Sequence, residues 1–170
     1  NMGDLVWIMD NAFENSGISG TLTLPESLEY IGIQAFADCR NLEAVWFPRS
    51  ALTQIESFAF AGCTSLASVE FAQNSVMDMI SEAAFANTAL KTIELPASLT
   101  ALGTEIFFEC RELKEVVFHS PQPPILVVPS YAMPFYFGDS LPDDFRVILA
   151  DPALTQVYVD QWRTQLMGYG

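Results

Sequence analysis

Positive charge is scarce in this sequence. Seven Lys and Arg residues stand against 21 Asp and Glu residues, which gives the 170-residue chain a formal net charge of −14. Binding to nucleic acid requires a basic surface that neutralises phosphates, so this class of partner is excluded. Two interpretations of the acidity are open. Like charge keeps copies of an apolar-rich protein apart in solution, or it forms a surface that attracts a cation or a basic partner.

Long apolar runs are also missing. A membrane-spanning helix needs about 18 consecutive apolar residues, and the run at residues 125–128 is far shorter. The sequence therefore predicts no membrane insertion. With 51% hydrophobic and 12% aromatic residues, the composition instead excludes intrinsic disorder, which requires low hydrophobicity.

The amino end lacks the features of a signal peptide. Asn1-Met2-Gly3-Asp4 carries no basic residue, and no long apolar segment follows it. The chain also opens in the middle of the repeat described next. We therefore expect it to be a piece of a longer precursor.

One pattern of apolar residues recurs along the chain. Its marker is a Phe, usually preceded by Ala, at positions 13, 36, 60, 85 and 107, with steps of 23, 24, 25 and 22 residues. Aliphatic residues precede this Phe by five and by eight positions, and a small or thiol side chain follows it by three, as in Leu28, Ile31, Phe36 and Cys39. Self-similarity at a period of this length is the signature of a repeat architecture.

Each copy continues with a Leu-x-x-Val-x-Phe segment, which is clear at 42–47, 66–71 and 113–118 and fits at 90–95 after a one-residue deletion. Apolar residues two apart point to the same face of a strand, and the Pro, Gly and Ser residues that follow end the strand. The Ile-x-x-x-Ala-Phe piece is expected to run back across the other side of the repeat as a short irregular or one-turn helical segment. One copy cannot bury its own apolar face, so the copies must stack into a solenoid with parallel strands about 4.8 Å apart.

The predicted fold is therefore an α/β repeat solenoid, mostly β and irregular. Residues 1–120 hold five repeats of about 22–25 residues, the first of them incomplete. Residues 121–170 differ: a Pro-rich break and a degenerate repeat lead to a strand near Val147 and to a helix from Pro152 to Leu166, with Asp151 as its cap. A solenoid end exposes an apolar layer, so this strand plus helix is predicted to be the carboxy-terminal cap.

Residues 28–48, LEYIGIQAFADCRNLEAVWFP, resemble the BspA-type leucine-rich repeat, and the following copies resemble it too. The closing strand, Pro turn and helix are similar to the terminal unit of that family. The resemblance implies a secreted or surface-displayed bacterial protein that adheres to host or extracellular proteins, and it implies no catalytic residue. The chain departs from the better-known leucine-rich repeat because its Cys lies before the strand and no Asn or Cys follows it.

The three cysteines occupy one slot of the repeat. Cys39, Cys63 and Cys110 lack the Cys-x-x-Cys spacing of metal sites. Their shared slot predicts small side chains packed in a ladder, so we expect buried free thiols. A disulfide between Cys39 and Cys63 and a metal site are the alternatives.

Catalytic chemistry has few candidate groups. His119 is the sole imidazole, so a Ser–His–Asp or Cys–His arrangement must use it, and its place beside Ser120 and the Pro-rich break is typical of a solvated loop. Solenoid faces seldom form the closed pocket that carboxylate catalysis needs. The acidic residues at 139, 143 and 144 match no calcium-loop spacing. The sequence predicts no enzyme, no metal site and no cofactor.

The outward side chains of the strands remain as a candidate site. Thr23, Trp46, Glu70 and Glu94 each lie between the two inward residues of a strand. An exposed Trp is a typical anchor in protein contacts and also stacks on sugars; alternatively, Trp46 leans on its neighbours. We predict a binding strip of these four residues. This strip suits a protein partner. Two alternative functions remain: the chain is a structural spacer within a larger surface protein, or it binds carbohydrate through Trp46.

Overall fold

The computed structural model describes residues 3–121, 125–126, 146–149 and 151. In these residues the chain forms a β-solenoid in which short strands alternate between a front face and a back face. The front face contains β2 (Ser19–Thr23), β4 (Asn41–Phe47), β6 (Ser68–Phe71), β8 (Thr92–Leu95), β10 (Glu115–Phe118) and β12 (Arg146–Leu149). The back face contains β1 (Trp7–Ile8), β3 (Tyr30–Ile31), β5 (Gln54–Ile55), β7 (Met79–Ile80), β9 (Ala101–Leu102) and β11 (Ile125–Leu126).

Every strand pair in the described residues is parallel, and the register joins equivalent positions of successive copies. Val45 pairs with Val69, and Val116 pairs with Ile93 and Val147. The solenoid, its parallel strands and the closing strand near Val147 are therefore confirmed. The helix predicted at 152–166 lies outside the described residues, and within them no helix is long and apolar enough to cross a bilayer.

A column of Phe rings forms the middle of the core. From Phe13 to Phe107 the successive ring centroids are 5.2, 5.1, 5.6 and 6.3 Å apart, and neighbouring ring planes differ by at most 14°. All rings of this column except Phe13 are fully buried, together with Ile31 and Ile55. Rings at this separation stabilise one another beyond the area they bury. The predicted single core is confirmed.

Each repeat forms one rung of the solenoid, and the segment expected to be irregular or one-turn helical forms its third side, which consists of turns. Residues two before and two after each Phe of the column have φ between 50° and 73°. They are Asn11 and Asn15, Gln34 and Asp38, Phe58 and Gly62, Ala83 and Asn87, and Glu105 and Glu109. Alternate N–H groups then donate to the next rung, as from Phe36 N to Ala59 O at 2.8 Å. We call this row of bonds the turn ladder.

The front face is divided into two sheets. One contains β2, β4 and β6, the other contains β8, β10 and β12, and no described backbone hydrogen bond joins β6 to β8. The back face is divided at another level, between β3 and β5. The turn ladder crosses the front break, since Phe60 N donates to Ala84 O at 2.9 Å. The rungs therefore remain stacked, and the break is a local opening of the front face.

Candidate binding cleft on the front face

A one-residue deletion contributes to the break between β6 and β8. In the third and fifth copies a turn leads from the Cys slot into the strand, with Leu66 N donating to Cys63 O at 2.9 Å and Leu113 N donating to Cys110 O at 3.1 Å. The fourth copy is one residue shorter here, and the described bonds include no counterpart from Leu90. Strand β8 thus enters the front face without the turn that positions β6 and β10.

Pro96 removes a bond on the other side of the same strand. After β6, Ala72 N donates to Phe47 O at 2.9 Å, and after β10, His119 N donates to Leu95 O at 3.3 Å. Pro96 occupies the equivalent position after β8. It has no N–H group, so it cannot donate to β6 in this way.

Two carboxylates flank the break. Glu70 is paired with Trp46 on one side, and Glu94 is paired with Val117 on the other, so the two Glu residues hold equivalent positions on β6 and β8. Both are exposed. Like charges opposite each other on neighbouring strands destabilise their pairing. Pro48 holds the same position after β4, which is paired with β2, so the deletion and the two carboxylates, rather than the Pro, distinguish the break.

The break forms a cleft of about 740 Å³, lined by side chains and backbone of β6, β8 and the loops that follow them. We call it the front cleft. Trp46, Glu70, Glu94 and His119 are among its lining residues. Thr23 lies beside Trp46 in the strand register and is exposed, but it does not line the cleft. The structure thus brings together three of the four residues predicted for the strip.

Trp46 is less exposed than a fully solvated side chain. It is half-buried, which matches the alternative in which the ring leans on its neighbours, and it still contributes surface to the front cleft. A ring fixed by packing loses little side-chain entropy when a partner contacts it. Its partial burial is therefore compatible with an anchor.

The front cleft is acidic. His119 Nε2 lies 2.8 Å from Glu94 Oε2, and Ser68 Oγ donates to Glu70 Oε1 at 3.4 Å. Among the described residues no cation forms an ion pair with Glu70, whereas Arg146 pairs with Glu115 at 3.3 Å. Sequence reasoning placed His119 in a loop and missed its contact with Glu94. The signal was its place in the repeat: His119 follows Val117, the register partner of Glu94, by two residues.

The three cysteines are buried and free, as predicted. Each thiol donates to the carbonyl of the column Phe one rung earlier, at 3.1 Å in all three cases, as from Cys63 Sγ to Phe36 O. Burial raises the pKa of the Cys63 thiol to about 12 and also raises that of Cys110. The described residues contain no group of three or more His, Cys, Asp and Glu side chains arranged to hold a metal ion. The acidic residues at 139, 143 and 144 lie outside them.

The model of the BspA-type leucine-rich repeat region matches residues 6–125 in six copies. The chain belongs to the BspA-type leucine-rich repeat family. The solenoid and the repeat register described above are thus those of this family. No curated protein matches the chain.

Solved structures of bacterial leucine-rich repeat proteins share the fold. A leucine-rich repeat protein of T. pallidum is 24% identical, with a TM-score of 0.56, over 84% of this chain and 56% of that one. The pneumococcal vaccine antigen PcpA is 23% identical, with a TM-score of 0.52, over 66% of this chain and 36% of that one. A leucine-rich cell surface protein of Faecalibacterium prausnitzii is 22% identical, with a TM-score of 0.43, over 70% and 44%. This BspA-type chain thus spans about half the length of these proteins or less.

Proposed function

We propose that this BspA-type repeat domain is a non-catalytic protein-binding module of a secreted or cell-surface bacterial protein. It binds an extracellular or host protein through the front cleft, with Trp46 as the anchor, Glu70 and Glu94 beside it, and Thr23 at its border. The observation that carries this proposal is the break between β6 and β8, at which the predicted strip and the only interruption of the described front face coincide.

The break is a local departure from what would stabilise the solenoid. A polar residue such as Thr in place of Glu70 would remove the opposed charges. Natural sequences violate local rules of this kind mainly at functional sites. A spacer needs only a solvated outer row, and such a row does not require an opening in the sheet.

The chemistry of the front cleft suits a protein surface with apolar and basic groups. A Trp fixed at its edge resembles the aromatic anchors that dominate binding energy in protein interfaces. The exposed Glu70 and Glu94 add negative charge, in a chain whose net charge of −14 attracts basic partners at long range. The location outside the cell is supported by the family and by the vaccine antigen of the same fold.

The proposal is tested by measuring capture of the chain on an array of purified extracellular host proteins. For a protein that binds, Trp46→Ala is expected to weaken affinity about thirtyfold, because truncating an anchor residue costs about 2 kcal/mol or more. Trp7→Ala is the matched control, since Trp7 is 62% exposed on the back face; its affinity should equal that of the unmodified chain. Equal binding by Trp46→Ala would favour the spacer, and capture on a glycan array instead would favour carbohydrate binding.

A further inference from the structure

We infer that the front cleft takes the guanidinium group of an arginine side chain presented by the protein partner. The inference rests on the proposed function and names the chemistry that the same cleft recognises. It follows from three features: the order of side chains along the row, the excess of hydrogen-bond acceptors, and the carboxylate of Glu70.

The row places an aromatic face next to a carboxylate. Trp46 and Glu70 are register partners on β4 and β6, so their backbones are separated by about 4.8 Å. A guanidinium stacked on an indole lies within about 6 Å of the ring centroid. From that position it can reach the neighbouring Glu70 carboxylate with two parallel N–H groups, which is the geometry that guanidinium and carboxylate prefer.

Acceptors outnumber fixed donors at the site. The lining includes the carboxylates of Glu70 and Glu94 and the backbone of β6 and β8, whose facing edges are not hydrogen-bonded to each other. Such an edge presents unpaired N–H and C=O groups alike, so the two carboxylates shift the balance toward acceptors. A guanidinium offers five N–H donors and no acceptor, so it can satisfy several of these oxygens at once.

Lysine fits the same surface less well. Its ammonium is a compact, strongly hydrated charge that does not lie flat on a ring. The planar guanidinium stacks on a ring and donates two parallel N–H groups to a carboxylate. His119 Nε2 already lies 2.8 Å from Oε2 of Glu94, while no described cation pairs with Glu70. Glu70 is therefore the carboxylate on which arginine recognition depends most.

The test is a nuclear magnetic resonance titration of the ¹⁵N-labelled chain, followed at the indole N–H of Trp46. The probes are acetyl-Gly-Arg-Gly-amide and its lysine and citrulline counterparts. We expect the arginine peptide to shift this resonance saturably, the lysine peptide to bind about fivefold more weakly, and the neutral citrulline peptide not to saturate. Equal affinities for arginine and citrulline would overturn the inference.

Matched charge variants separate specific from long-range attraction. Glu70→Gln should weaken the arginine peptide about fivefold, the size of one favourable ion pair. Glu26→Gln changes the net charge equally at an exposed position on the loop after β2, outside the cleft, and should change affinity less than about twofold. Equal losses for the two variants would contradict the inference.

The failure of this inference differs from the failure of the proposed function. If a captured protein depends on Trp46 but binds equally well after its arginines are blocked with a dicarbonyl reagent, the protein-binding function stands and the guanidinium assignment is wrong. If Trp46→Ala leaves protein capture unchanged, the proposed function is wrong, even when the arginine peptide binds.

Discussion

Phe60→Ala removes a ring from the middle of the column. Phe60 is fully buried, its centroid lies 5.1 Å from that of Phe36 and 5.6 Å from that of Phe85, and it meets Phe47 edge-on at 5.8 Å. Truncating a buried Phe to Ala costs about 3–5 kcal/mol. Because three other rings contact this one, we expect about 4–5 kcal/mol here, a large share of the 5–15 kcal/mol that stabilises a typical domain.

Phe13→Ala is the matched control at the end of the column. Phe13 is half-buried and stacks on Phe36 alone among the described rings, at 5.2 Å. Since Phe13 is partly exposed and only one stacked contact is lost, we expect about 1–2 kcal/mol. In a stack of repeats an end rung also frays without unfolding its neighbours, whereas a central rung couples both halves.

The measurement is urea denaturation of both variants, monitored by circular dichroism. Phe60→Ala should shift the midpoint at least twice as far as Phe13→Ala. Equal shifts would mean that the column is not the continuous core that joins the rungs.

Three further predictions concern individual residues. Cys63 should react with a thiol reagent only after denaturation. Because burial raises its pKa to about 12, the stability that the neutral thiol contributes is complete below the ordinary thiol pKa of 9 and is lost as pH rises toward 12. The urea midpoint should therefore fall less steeply with pH in this range for Cys63→Ser than for the unmodified chain. Gly103→Ala should destabilise by about 1–3 kcal/mol in thermal unfolding, since its Cβ would lie 2.5 Å from Glu82 N, whereas Gly17→Ala meets nothing within 4 Å and should have little effect. His119→Ala should leave the affinity for the arginine peptide equal or higher, because Glu94 gains a free oxygen; a loss in the same titration would contradict this.

The strands and the column were predictable because their signal is periodic and apolar. Val45, Val69 and Val116 recur at one position of the repeat, and a solenoid must place equivalent positions side by side. The turn ladder was not predictable in the same way. Phe58 and Ala83 have positive φ although neither residue type favours it. Hydrogen bonds to the next rung impose this conformation, and such tertiary bonds leave no mark in local sequence preference.

The front cleft could be predicted only in part from the sequence. The deletion before Leu90 and the row of Trp46, Glu70 and Glu94 could be read from the sequence. Whether they open the sheet depends on a balance of terms of about 1 kcal/mol each, among them the lost turn bond before β8 and opposed charges. The partial burial of Trp46 and the contact of His119 with Glu94 depend on side-chain positions, which periodicity does not specify.

We propose that the break between β6 and β8 serves binding at the expense of stability. Glu70→Thr tests it, because Thr23 already occupies this row on β2 and the change removes the opposed charge. The variant should gain about 0.2–1 kcal/mol in the free energy of unfolding. The decisive measurement is its affinity for a captured protein partner. We predict a loss of about fivefold or more in the more stable protein. An affinity equal to or higher than that of the unmodified chain would mean that the break does not serve binding.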